Sequence, residues 1–121
     1  MSHHTAEHRS HAMNHCIENC THCHAVCLET IAHCLEMGGK HASADHIALL
    51  SACADICRTS ADTMLRGAAV HAITCGACAE ICRRCAEECE RFADDEAMAR
   101  CARACRACAE SCEAMAGGEA C

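Results

Sequence analysis

Proline, tryptophan and tyrosine are absent from this 121-residue chain, and phenylalanine occurs once. Bulky aliphatics are scarce as well. The apolar fraction of 52% is made of 26 Ala, 17 Cys and 6 Met, which leaves 14 residues of Leu, Ile, Val and Phe together. That is too little bulk for a conventional core, while the abundance of Ala and of charged residues that tolerate helices favours an all-helical fold. No stretch reaches the ~18 consecutive apolar residues of a membrane span. The first fifteen residues carry His3, His4, His8, His11 and His15 without an apolar run, so no secretory signal is expected and the reducing cytoplasm is the expected location. The formal charge of −7 is spread along the chain, which excludes the concentrated basic face that nucleic-acid binding needs.

The length suits one domain, residues 1–121, with a His-rich segment 1–12 expected to fray and a flexible tail over 117–121. Glycines punctuate it. Gly38 and Gly39 end a first helix that reaches from before Met13 to about Met37, and Ser43 or Asp45 caps a second that runs to about Arg66. After Gly67 a third helix occupies roughly Val70 to Ala93. Asp94 and Asp95 then offer a cap for a fourth, which reaches about Ala116 before Gly117 and Gly118. The pairs Glu80 with Arg84, Glu87 with Arg91 and Arg106 with Glu110 are spaced i,i+4 and mark solvent faces. Four helices of about 33 Å each, joined by short loops, predict an antiparallel up-down-up-down four-helix bundle.

Cysteine has a period. Cys16, Cys20, Cys23 and Cys27 are spaced 4, 3, 4, and Cys34 continues their stripe past Thr30. Cys75, Cys78, Cys82, Cys85 and Cys89 are spaced 3, 4, 3, 4, and Cys101, Cys105, Cys108 and Cys112 are spaced 4, 3, 4. Cys53 and Cys57 give the second helix a shorter version, continued by Ser60 and Met64. Alternating steps of three and four point side chains at a bundle axis, so Cys stands where a bundle normally has Leu. Sixteen cysteines lie on these stripes, and Cys121 alone falls outside them. Neighbours on a stripe have Cβ atoms roughly 5–6 Å apart, and two sulfurs flanking one ion at ~2.3 Å are about 4.6 Å apart. Stripe neighbours and facing helices can therefore grip metal ions together.

Thiolates are soft ligands that favour Cu(I), Zn(II) and iron–sulfur clusters. One Cu(I) per thiolate leaves a neutral core, whereas Zn(II) on four thiolates leaves two buried negative charges. A continuous array therefore suits the monovalent ion, at roughly 16 to 17 ions per chain if each thiolate bridges two ions and each ion takes two thiolates. Met13, Met37, Met64, Met98 and Met115 extend the stripes towards their ends. In an antiparallel bundle Met13, Met64, Met115 and His71 gather at one end, where Met64 and His71 are candidate ligands that hand an ion inward. The alternative for this cluster is packing by a flexible apolar residue. His4, His8, His11 and His15 form a helical face of their own or a solvated terminus. His33, His41 and His46 lie around the first loop at the opposite end, as ligands or as a solvated loop.

Other classes fit less well. Disulfide stapling is disfavoured by the odd Cys count and by neighbours within single helices. A ferredoxin needs C-x2-C-x2-C-x3-C-P, and nothing here is an open metal site beside a substrate pocket, so no enzyme is expected. A metallothionein-like Zn(II) or mixed-metal buffer is the main competitor, opposed by the helical register and the lack of any C-x-C pair. A scaffold bundle without metal is the third reading.

Three strings then resemble a known family: His33-Cys34-Leu35-Glu36 followed by Gly38-Gly39-Lys40-His41, then Cys53-Ala54-Asp55-Ile56-Cys57-Arg58-Thr59-Ser60, and Cys78-Ala79-Glu80-Ile81-Cys82 leading to Cys85 and Cys89. From about Asn14 to Ala116 the chain is similar to the cytosolic branch of the bacterial four-helix-bundle copper storage proteins. The resemblance implies Cu(I) held by thiolates inside each bundle, entry through one end, a naturally Cys-poor second helix and a homotetramer of bundles. The extra N-terminal histidines depart from that pattern.

Overall fold

The computed structural model describes residues 9–92 and 94–117. His3, His4, His8, Gly118 and Cys121 lie outside them, as does Ala93. The described residues form α1 (His11–Met37), α2 (Ala44–Leu65), α3 (His71–Glu90) and α4 (Glu96–Ala116), with one turn of 3-10 helix over Gly39–Ala42 between the first two. Three of the four starts carry a side-chain cap. Ser10 Oγ accepts from the Met13 N–H at 3.0 Å, Ser43 Oγ from that of His46 at 3.4 Å, and Asp95 Oδ1 from that of Ala97 at 3.0 Å, each satisfying a backbone donor the helix leaves unpaired. α1 stops where Gly38 and Gly39 take φ of 71° and 58°, the left-handed region where a Cβ is penalised. α3 has no side-chain cap. Its first turn is held instead by the Thr63–Thr74 hydroxyl bond of 2.9 Å and by His71 Nδ1 donating to the Ala68 carbonyl at 3.0 Å.

Each helix packs on its sequence neighbours and α4 closes on α1, so the chain goes round an antiparallel four-helix bundle in order. Small residues set how near the helices come. Ala54 and Ala61 on α2, Ala79 and Ala86 on α3, and Ala102 and Ala109 on α4 repeat every seventh residue beside the Cys stripes, and all six are buried. Ala in these flanking positions brings backbones close, which draws short Cys side chains from facing helices within reach of one another. The larger fully buried side chains are few, among them Leu50, Met64, Met98, Met115, His46 and Val26.

Three expectations from spacing are corrected. Glu80 does pair with Arg84 at 2.8 Å. Arg91, however, takes Glu88 rather than Glu87, and Arg106 reaches across to Glu90 of α3 with two bonds of 2.8 and 3.0 Å rather than along α4 to Glu110. The close α3–α4 contact puts a carboxylate of the facing helix nearer than the one four residues on. These exposed pairs are screened by solvent and contribute little to stability. Met37, placed on the first stripe by its step of three from Cys34, is 56% exposed. It belongs to the last turn of α1, where the chain leaves the bundle at Gly38.

Candidate metal centre

All sixteen stripe cysteines are free thiols with no solvent-exposed surface. Their sulfurs form a continuous ladder that passes through every helix. Cys16 and Cys20 of α1 meet Cys112 of α4 at 3.6 and 3.4 Å, and Cys20 meets Cys108 at 3.6 Å. Cys108 meets Cys57 of α2 at 3.7 Å, and Cys57 meets Cys78 and Cys82 of α3 at 3.8 and 3.6 Å. Cys82 leads to Cys53 at 3.6 Å, Cys53 to Cys105 at 3.8 Å, and Cys105 to Cys23 at 3.7 Å, beyond which Cys27 lies 4.0 Å away. Cys27, Cys85, Cys101 and Cys105 gather into a further group of four, with Cys89 beside Cys101 and Cys85. Cys75 takes a hydroxyl contact from Ser60 at 3.9 Å.

These separations suit a shared metal. Three ligands around one ion at ~2.3 Å stand about 4.0 Å apart, and four stand about 3.8 Å apart. Several sets of four, such as Cys20, Cys78, Cys108 and Cys112, have all their sulfurs within 4.8 Å of one another. Many sulfurs belong to more than one such set, so an ion in one site shares ligands with an ion in the next.

The ladder is also electrostatically graded. Thiol hydrogen bonds, with Cys105 the foremost partner, press Cys53 below its ordinary value, and Cys105 itself is pushed up, most by Cys101. Cys34 stands apart from the ladder. Burial, then the charge of Asp95, pushes its thiol up to about 11 from 9.0. The folded protein thus keeps a proton between pH 9 and about pH 11 that the unfolded chain has released, so stability falls as pH rises across that window. Urea unfolding of the reduced, metal-free protein should show its midpoint dropping from the lower to the higher pH, with a shallower drop in Cys34→Ala. An identical slope in the variant contradicts this assignment.

The neighbours of Cys34 include a histidine of α2. His46 is 1% exposed, and its Nε2 lies 3.3 Å from Cys34 Sγ while its Nδ1 meets Glu88 Oε2 at 3.2 Å. Met98 Sδ lies 3.6 Å from the same sulfur. The signal was present in the sequence: His46, Leu50, Cys53, Cys57, Ser60 and Met64 are spaced 4, 3, 4, 3, 4, so His46 is the first member of the α2 stripe. At the other end Met13, Met64, Met115 and His71 are all buried, at the start of α1 and α3 and the finish of α2 and α4. His11 and His15 are exposed on the first turns of α1, the latter beside Asn19 at 3.4 Å.

The sequence profile of a family described as copper storage protein matches residues 9–117. The chain belongs to that family. Among solved structures it is similar to a Nitrosospira multiformis protein at 46% identity, covering 89% of this chain and 97% of the other with a TM-score of 0.83. The Cu(I)-bound copper storage protein BsCsp3 is 35% identical over 87% of this chain and 98% of its own, with a TM-score of 0.81, and the apo protein of Bacillus subtilis superposes with a TM-score of 0.76. A Streptomyces lividans copper storage protein, solved loaded with 10 copper equivalents, is 32% identical over 88% of this chain and 85% of its own, with a TM-score of 0.79. No curated protein sequence matches. The axis of this chain is a ladder of buried thiols interrupted by Thr30 and Ser60, with His46 and Met98 buried towards one end and Met13, Met64, His71 and Met115 towards the other.

Proposed function

We propose that this protein stores Cu(I) in the cytoplasm, taking many ions per chain onto the thiolates of its axis. The observation that carries the reading is the unbroken run of sulfur contacts through all four helices, with no Asp, Glu, Lys or Arg buried among the described residues. Each arriving Cu(I) replaces a thiol proton, so the core stays neutral as it fills and no buried charge accumulates. The ligands are Cys16, Cys20, Cys23, Cys27, Cys34, Cys53, Cys57, Cys75, Cys78, Cys82, Cys85, Cys89, Cys101, Cys105, Cys108 and Cys112. Met64 and His71 serve at one end, and His46 with Met98 completes the surroundings of Cys34 at the other. A neutral imidazole and a thioether bind Cu(I) without adding charge, which suits the ends, where ions have to move on. Relatives described as cytosolic or as Cu(I)-bound support the location and the ion.

The protein acts as a store rather than an enzyme, because a catalytic thiol has to touch its substrate and these are all covered. The homotetramer rests on the family resemblance. The reading is tested by anaerobic Cu(I) titration of the reduced protein against a competing chelator, repeated with Zn(II). The expected result is many tight copper equivalents, on the order of one per axial Cys, with weak zinc binding. Saturation at three or four copper equivalents, or tighter zinc than copper, supports a zinc buffer instead.

A further inference from the structure

Outside the axis, two imidazoles from two segments converge on one carboxylate oxygen of a third. His33 Nε2 of α1 donates to Asp95 Oδ2 at 2.7 Å, and His41 Nε2 of the 3-10 turn donates to the same Oδ2 at 3.0 Å. Asp95 is not free to turn. Its other oxygen caps α4 on the Ala97 N–H, so Oδ2 is aimed at the two imidazoles by the helix start itself. His41 is held by Phe92, whose ring centroid is 4.3 Å away, and the two imidazoles meet edge to face with centroids 5.8 Å apart. Each ring is therefore oriented by something other than the contact it makes with the carboxylate.

We propose that His33, His41 and Asp95 form a binding site for a borderline divalent cation of the Zn(II) class, separate from the thiolate axis. Two imidazoles and one carboxylate are the nitrogen and oxygen donors such ions take, at ~2.0–2.2 Å. Donors at that length stand about 2.8–3.1 Å apart around an octahedral ion and about 3.3–3.6 Å apart around a tetrahedral one. The observed separations of 2.7 and 3.0 Å need to widen by less than about 0.5 Å for the first and by less than about 1 Å for the second. On binding, each imidazole turns its Nε2 lone pair to the ion and carries a proton on Nδ1. The ion then takes the place the two N–H groups fill when the site is empty.

The surroundings are compatible with an ion arriving from water. The three side chains are 17–30% exposed, enough for entry and too little for free rotation. A cleft of about 430 Å³ between Met37, His41, Phe92 and Asp95 leaves room for water ligands. Arg91, which also borders the cleft, is engaged by Glu88 at 3.0 Å. The donors are two borderline imidazole nitrogens and a hard carboxylate oxygen where those of the axis are soft sulfurs, so the site favours a divalent ion and the axis favours Cu(I). An ion here ties α1, the turn after it and the start of α4 together, directly over the end of the bundle where Cys34, His46 and Met98 lie.

Co(II) is the probe, because thiolate-bound Co(II) announces itself by intense sulfur-to-metal charge-transfer absorption that a site of two His and one Asp lacks. The full-length reduced protein is titrated anaerobically with Co(II), alone and after Cu(I) loading. The expected result is one equivalent without the charge-transfer band, present in both forms. Its affinity falls by more than about 10-fold in His33→Ala and in Asp95→Ser, since losing even an outer partner of a metal ligand costs about 10–100-fold. Asp95→Ser keeps a hydroxyl to cap α4 while removing Oδ2, so helicity by circular dichroism should be unchanged. The proposal is overturned if every bound Co(II) carries the thiolate band, or if both variants bind like the wild type. Failure of the copper reading shows separately, as an axis that does not take up Cu(I).

Discussion

Replacing Cys108 with Ala lowers the Cu(I) capacity of the chain by two or more ions, whereas Cys34→Ala lowers it by one. Cys108 Sγ touches Cys20 of α1 at 3.6 Å, Cys57 of α2 at 3.7 Å, Cys78 of α3 at 3.9 Å and Cys112 of its own helix at 3.9 Å. A thiolate in that position bridges ions whose other ligands come from three helices, and its removal leaves several of them short of a second sulfur. Cys34 has a histidine and a methionine for neighbours rather than other thiols, so its loss is confined to its own ion. The fold should survive both changes, because removing one sulfur from a core of small side chains costs on the order of 1 kcal/mol. Metal content after gel filtration, measured beside protein concentration, checks the difference. Equal losses in the two variants would mean that ions are held pairwise rather than as a shared array.

Loading with Cu(I) should raise the melting temperature of the reduced protein by more than about 10 °C. Binding to the folded state alone stabilises it by about 4 kcal/mol for one site held at 1,000 times its dissociation constant. For a domain of this size each kcal/mol moves the midpoint by roughly 3–5 °C, and the sites are many. The metal-free core has little else to draw on, since its fully buried large side chains are few and most of its axis is Cys beside Ala. Loading also releases protons, because the buried thiols of the empty core are largely protonated. Calorimetry in buffers of different ionisation enthalpy reads that release. An unchanged melting temperature in the presence of bound copper would contradict placement of the ions on the axis.

Much of this was readable from residue spacing. The steps of three and four in Cys16 to Cys27, Cys75 to Cys89 and Cys101 to Cys112 oblige those side chains to share one face of each helix, and that face is the one each helix turns inward. The same logic carries Met64 and Met98 to buried positions and extends to His46, which stands four residues before Leu50 on the α2 stripe. Met37 obeys the spacing and is nonetheless exposed, because a stripe has meaning only as far as a partner helix accompanies it.

Local order, then, was settled by the chain itself: helix lengths, the caps at Ser43 and Asp95, the glycine stops and the inward face of each stripe all depend on residues within one or two turns of one another. Which sulfur meets which was decided only by the bundle, through the rotation and separation that Ala79, Ala86, Ala102 and Ala109 permit. So were the pairing of Arg106 with Glu90 and the meeting of His33 and His41 at Asp95, contacts spanning 16, 62 and 54 residues. Periodicity specifies direction around a helix axis, whereas distance between helices follows from how all four faces pack at once.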